Sequence, residues 1–105
     1  MTEPSKRDWK LFREKISGWQ ERYMERLVKE YADYLYRDLP ASQKFWTLEK
    51  RIRQDRKKPG VCIELSKSDM FWDMARLVLD GVITMEDLAD FSDDTREAVA
   101  LFLRR

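Results

Sequence analysis

The sequence predicts an all-α fold: a compact bundle of five or six helices around a long central one. Three observations carry this. Of 105 residues only three are glycine and three proline, while 39% are charged and 43% hydrophobic; low Gly and Pro with high charge favours helices joined by short connections. Apolar residues recur at helical spacing along most of the chain. The one β-prone run, Val61-Cys-Ile-Glu-Leu65, has no second strand to pair with, so 61–65 reads as an extended connector, the alternative being a strand that pairs with its copy in a dimer. A chain of this length suits a single helical domain, 1–105, with a small core.

Taken in order, residues 1–5 are expected to be loose. Ser5 or Asp8 can begin a short helix with Trp9, Phe12 and Ile16 on one side. Gly18 falls where a break or kink is expected before the central helix. That helix is read over 17–39. Trp19, Tyr23, Met24, Leu27, Val28, Tyr31, Tyr34, Leu35 and Leu39 form an arc much wider than the ~100° stripe of a surface helix, which implies neighbours on two sides. Ser17 and Gln20 have the spacing of a capping box. Glu25/Lys29 and Asp33/Arg37 are favourable pairs on the wet face, and Pro40 marks the end.

Ser42 is the expected cap of a basic helix, 42–58, whose apolar side is a thin stripe of Phe45, Leu48 and Ile52; Pro59-Gly60 then breaks the chain. Residues 66–105 read as an acidic helical subdomain. Ser66 or Ser68 caps a helix ending near Asp80, carrying Met70, Phe71, Met74, Ala75, Leu77, Val78 and Leu79, and Gly81 is placed to terminate it in a left-handed conformation. Thr84, with Asp87 three residues on, caps a short helix containing Met85, Leu88 and Phe91. Ser92 caps the last helix, with Asp93, Asp94 and Glu97 complementing its dipole and Ala98, Val99, Phe102 and Leu103 facing inward.

The net charge of +1 hides an asymmetry: 1–39 carries 9 basic and 8 acidic residues (+1), 40–60 carries 7 and 2 (+5), and 61–105 carries 5 and 10 (−5). A basic middle and an acidic end can attract each other, within one chain or between two. Four Trp, four Tyr, five Phe and five Met are a large apolar load for a small core, so a second subunit is expected to cover part of it. Cys62, the single cysteine, permits no intrachain disulfide; between Val61 and Ile63 it reads as a buried, inert thiol in a reducing compartment. No run approaches the ~18 apolar residues of a membrane span, and Met1 to Arg7 has no signal-peptide core. The expectation is a soluble, intracellular, cytoplasmic protein.

Enzymatic chemistry finds little support. With no histidine, histidine triads and histidine metal ligands are excluded, and no Gly-rich phosphate loop is present. Carboxylate pairs at helical spacing (Glu30/Asp33, Asp69/Asp73, Asp87/Asp90, Asp94/Glu97) leave a Mg²⁺-dependent all-α nucleotide hydrolase as a distant alternative. Asp80-Gly-Val-Ile-Thr-Met-Glu-Asp87 invites comparison with an EF-hand loop. With Gly81 at its sixth position, however, Arg76 and Val78 take the first and third, where carboxylates are needed; a helix cap, a hydrophobic turn and a new cap explain it better. A helix-turn-helix over 68–104 would lead its recognition helix with Asp93, Asp94 and Glu97, which opposes contact with a polyanion. No cofactor, metal or catalytic residue is assigned.

The candidate partner-binding residues are Trp46, Lys50, Arg53 and Lys57, at i, i+4, i+7 and i+11 on the basic helix. Basic side chains with an interleaved aromatic can meet phosphates and stack on a base, or meet an acidic protein surface. The plainer alternative packs Trp46 on the core or on a second subunit beneath the basic stems.

The runs Asp8-Trp-Lys-Leu-Phe-Arg-Glu-Lys-Ile16, Gly18-Trp-Gln-Glu-Arg-Tyr-Met24 and Lys44-Phe-Trp-Thr-Leu-Glu-Lys50, with Asp69-Met70 and Asp80-Gly-Val-Ile83, resemble a set of short uncharacterised bacterial all-helical proteins, some automatically labelled multidrug transporter. The resemblance spans nearly the whole chain and implies no active site. The transporter label conflicts with the residues, since nothing here can span a bilayer. The function expected is that of a small interaction or regulatory protein acting as a homodimer, with a nucleic-acid-associated protein using 44–58 as the alternative.

Overall fold

A computed structural model describes residues 3–104. They form four α-helices, α1 (Lys6–Leu35), α2 (Ala41–Asp55), α3 (Met70–Leu79) and α4 (Asp93–Leu103), with short 3-10 turns at Lys67–Asp69 and Met85–Leu88 and no strand among them. The all-helical expectation holds, with four α-helices in place of five or six because the first two merge and Met85–Leu88 winds as 3-10. The expectation that 1–5 is loose fails at its inner end: Pro4 is buried, and Ser5 Oγ accepts the Asp8 N–H at 3.1 Å to cap α1. For Met1 and Thr2 that expectation lies outside the described residues.

α1 runs through Ser17 and Gly18 without a break, so Ser17 caps nothing. The reason is register. Phe12, Ile16, Trp19, Tyr23 and Leu27 form one buried stripe across the glycine, and breaking it would forfeit core contacts worth more than the ~1 kcal/mol that glycine costs in a helix. The helix stops at Leu35, four residues before Leu39, because residues 36–39 are needed to reverse the chain into α2. Lys44 Nζ reaches back to donate to the Leu35 carbonyl at 2.8 Å, satisfying one of the acceptors a helix end leaves open. Pro40, not Ser42, stands at the start of α2, and no side chain caps it.

The core joins the α1 stripe to Met70, Phe71, Met74, Ala75 and Leu77 of α3, to Val82, Ile83, Leu88 and Phe91, and to Ala98 and Val99 of α4. The end of α3 is a Schellman turn: Val82 N–H donates to the Leu77 carbonyl at 2.9 Å and Gly81 N–H to Val78 at 3.0 Å, with Gly81 at φ +73° as its place in the sequence required. Thr84 N–H then donates to Asp87 Oδ2 at 2.8 Å. This cap–turn–cap sequence accounts for 80–87 without a cation loop.

The molecule is long, 53 × 22 × 21 Å with a radius of gyration of 16.5 Å, against about 13 Å for a globular chain of this length. The compact bundle expected from the sequence is therefore corrected. A 30-residue helix is about 45 Å long. The acidic subdomain covers its first two thirds, and α2 folds back along the rest, burying only Asp55 of its own residues. Segment 61–65 is an irregular connector in which Cys62 is exposed rather than buried. Among the described residues no helix is long and apolar enough to cross a membrane.

Candidate interaction site

Three contacts fix α2 and its exit against the far half of α1. Tyr31 Oη donates to Asp55 Oδ2 at 2.5 Å. Arg51 stacks 5.1 Å over the Tyr31 ring while its guanidinium reaches Glu30 at 3.0 Å and Asp55 at 3.5 Å. Lys58 completes the charge around Asp55 at 3.5 Å. Burial first, then the hydrogen bond and charge of Asp55, push the Tyr31 phenol up to about 12, so it stays a donor. Beyond α2, Gln20 Nε2 donates to the Pro59 carbonyl at 2.9 Å, and Gly60 lies so close to the Tyr23 ring that an added Cβ would stand 2.4 Å from it.

These ties hold α2 at its C-terminal end, Lys44 on the Leu35 carbonyl ties its start, and Leu48 is half-buried while the helix's other large apolar residues are left exposed. Phe45 is 63% exposed and Trp46 65%, and on α1 Val28 is 61% exposed. Leu35 and Ile52 are exposed as well. The apolar patterning turns Phe45 and Ile52 inward and covers Val28 and Leu35; the structure corrects both expectations. Leu35, Ala41, Phe45, Leu48 and Ile52 instead floor an open cleft of about 690 Å³, rimmed by Lys44, Glu49, Arg53 and Arg56. A second cleft, about 320 Å³ and lined by Leu27, Val28, Tyr31 and Val61, continues from it past the shared Ile52 and Arg56.

Of the residues singled out from sequence, Trp46, Lys50 and Arg53 do share α2. Trp46 packs edge-on against Phe45 with ring centroids 4.9 Å apart, Lys50 is exposed, and Arg53 pairs with Glu49 one turn back. Lys57 lies past the helix end, exposed in the turn that follows α2. Sequence reasoning does not single out Arg56, Leu35 or Ile52 as cleft residues. The signal for them is a stripe on α2 too narrow to be a core face.

The acidic end spends part of its charge on α1 rather than on 40–60. Lys15 pairs with Asp90 at 3.1 Å, and Arg22 approaches Asp87 at 3.7 Å. Arg7 and Arg26 donate to the Asp90 and Gly81 carbonyls at 2.8 and 2.7 Å. The main tie between the chain's two ends is Asp8, fully buried at the start of α4. Its carboxylate accepts Ser92 Oγ at 2.5 Å, Thr95 Oγ1 at 2.6 Å and Ser92 N–H at 3.2 Å, with Arg7 at 3.0 Å. Burial alone would raise its pKa, but these hydrogen bonds and the Arg7 charge outweigh it and hold the carboxyl below the usual range.

Of the carboxylate pairs, Asp69 and Asp73 lie close enough for the charge of Asp69 to help raise the Asp73 pKa. Glu30 is tied to Arg51 and Asp87 to Thr84, and Asp94 and Glu97 face solvent. Among the described residues no three His, Cys, Asp or Glu side chains gather where they could hold a metal ion. Comparison with protein-family models, with curated proteins and with solved structures finds no match to this chain.

Proposed function

We propose that this chain is a small soluble interaction protein of the cell interior that acts as a homodimer through the arm formed by α2 and the far half of α1. One observation supports this above the rest: an apolar cleft of about 690 Å³ stands open between helices, with Phe45, Ile52 and Leu35 exposed around it. Contiguous apolar surface of this kind on a small protein marks an interaction site, and the exposed aromatic pair Phe45–Trp46 is of the type that anchors interfaces. Light scattering across a concentration series tests the reading. The wild type should run as a dimer and Phe45→Glu with Ile52→Glu as a folded monomer; a wild type that stays monomeric at low and high salt refutes it.

Lys50, one turn from an exposed Trp46, and Arg56 and Lys57 at the helix exit are exposed with no acidic partner among the described residues and favour a second reading, nucleic-acid association through the same helix. Gel-shift titration separates the two. Binding that falls with salt and is lost in Lys50→Glu with Arg53→Glu supports the second; no binding at low salt removes it.

A further inference from the structure

We propose that the cleft on α2 receives the acidic face of α4 from a second copy of this chain, and that the contact is made twice about a two-fold axis. This rests on the dimer reading and specifies which surfaces meet. Two α2 helices facing each other would bring together two copies of a helix carrying +2, within a 40–60 segment carrying +5, and like charges at an interface oppose association. The complementary surface is at the other end of the same molecule. Asp94, Glu97 and Leu101 lie at i, i+3 and i+7 along α4, and all three are exposed. They border a shallow groove of about 450 Å³ with Phe71 and Ala98. Asp87 and Asp90 are engaged by α1, whereas Asp94 and Glu97 have no ion-pair partner among the described residues. An apolar residue preceded on its face by two carboxylates thus meets an apolar floor whose rim carries Lys44, Arg53 and Arg56 against the single Glu49, with Arg53 already paired to Glu49 and Arg56 without an acidic partner among the described residues. A head-to-tail contact closes as a pair when a two-fold axis repeats it, and otherwise grows into chains.

The full-length protein tests this by charge exchange, read by light scattering at a concentration where the wild type is a dimer. Arg53→Glu/Arg56→Glu and Asp94→Lys/Glu97→Lys should each be monomeric alone. Mixed in equal amounts they should recover the dimer, because the reversed α2 of one meets the reversed α4 of the other while the second contact is native. The milder Asp94→Asn/Glu97→Gln, which keeps the α4 surface nearly isosteric, should raise the dimer dissociation constant tenfold or more. A wild-type dimer that Asp94→Asn/Glu97→Gln leaves unchanged, or a mixture that does not recover, overturns the α2–α4 contact and leaves the dimer standing. A monomeric wild type removes the dimer itself.

Discussion

Replacing Asp73 by asparagine should stabilise this protein at neutral pH and do nothing for it in mild acid. Asp73 is buried on α3. Its Oδ2 has no hydrogen-bond partner, and its Oδ1 has Arg76 at 3.5 Å. Burial, joined by the charge of Asp69 and opposed by Arg76, pushes the carboxyl from 3.8 up to about 6. Each pH unit of displacement corresponds to about 1.4 kcal/mol, so the ionised group costs the fold roughly 3 kcal/mol. The sign follows from proton binding. Between about pH 4 and 6 the native state holds a proton that the unfolded chain has released, so stability falls as pH rises through this window. The substituted asparagine carries no charge at any pH but gives up the weak Arg76 contact, which leaves an expected gain of about 1–3 kcal/mol near pH 8. Urea unfolding followed by circular dichroism near pH 4, 6 and 8 measures it. Equal stability of variant and wild type near pH 8, or a gain that persists undiminished near pH 4, would show that Asp73 is not held against its charge.

The two glycines of opposite setting should respond in opposite directions. Gly18→Ala, in mid-helix with nothing within 4 Å of an added Cβ, should raise stability by about 0.5–1 kcal/mol. Gly60→Ala, where that atom would meet the Tyr23 ring at 2.4 Å, should lower it by about 1–3 kcal/mol; thermal melts of the two variants side by side decide the contrast. Asp8→Ala should cost about 3 kcal/mol, since it strands two hydroxyls and an N–H at the start of α4. Because the Asp8 carboxyl is held low, the charge-dependent part of its contribution is present above the ordinary carboxylate range and is lost as pH falls through the lowered value, so the gap between variant and wild type should narrow in strong acid.

Helix positions are legible wherever an apolar stripe runs in register with its own ends: α4 with Ser92, and the turn after α3 with Gly81. Gly18 misleads because a glycine signals a break only when the stripe changes phase there, and Ile16, Trp19 and Tyr23 keep phase across it. The buried carboxylates leave a trace of the same kind. Asp8 lies one turn before Phe12, Asp55 three residues after Ile52, and Asp73 between Met70 and Leu77, each on its helix's apolar stripe. What no local pattern contains is the partner: that Asp8 meets Ser92 and Thr95, or that Tyr31 meets Asp55, depends on which helices the chain brings side by side. The candidate site is half legible. Its basic residues stand out in the sequence, but the direction in which Phe45 and Ile52 point does not, because a stripe that narrow serves a core and a docking face equally well.

The uneven burial also has a thermodynamic consequence for the arm. α3 and α4 supply most of the core against α1 while leaving Trp72, Leu79 and Leu101 exposed, whereas α2 contributes one buried residue and is held by the Tyr31–Asp55–Arg51 cluster, Lys44 on the Leu35 carbonyl, the Gln20–Pro59 bond and Gly60 against Tyr23. An element with few buried contacts opens at lower free energy than the core it is attached to, and an occupant that binds only its closed form stabilises that form by mass action. In the dimer proposed above, association and ordering of α2 would therefore be one equilibrium. With the contact proposed above, amide exchange should slow in α2 and along the exposed face of α4 as protein concentration rises while the buried part of α3 changes least, and an α2 that does not respond would place the contact elsewhere.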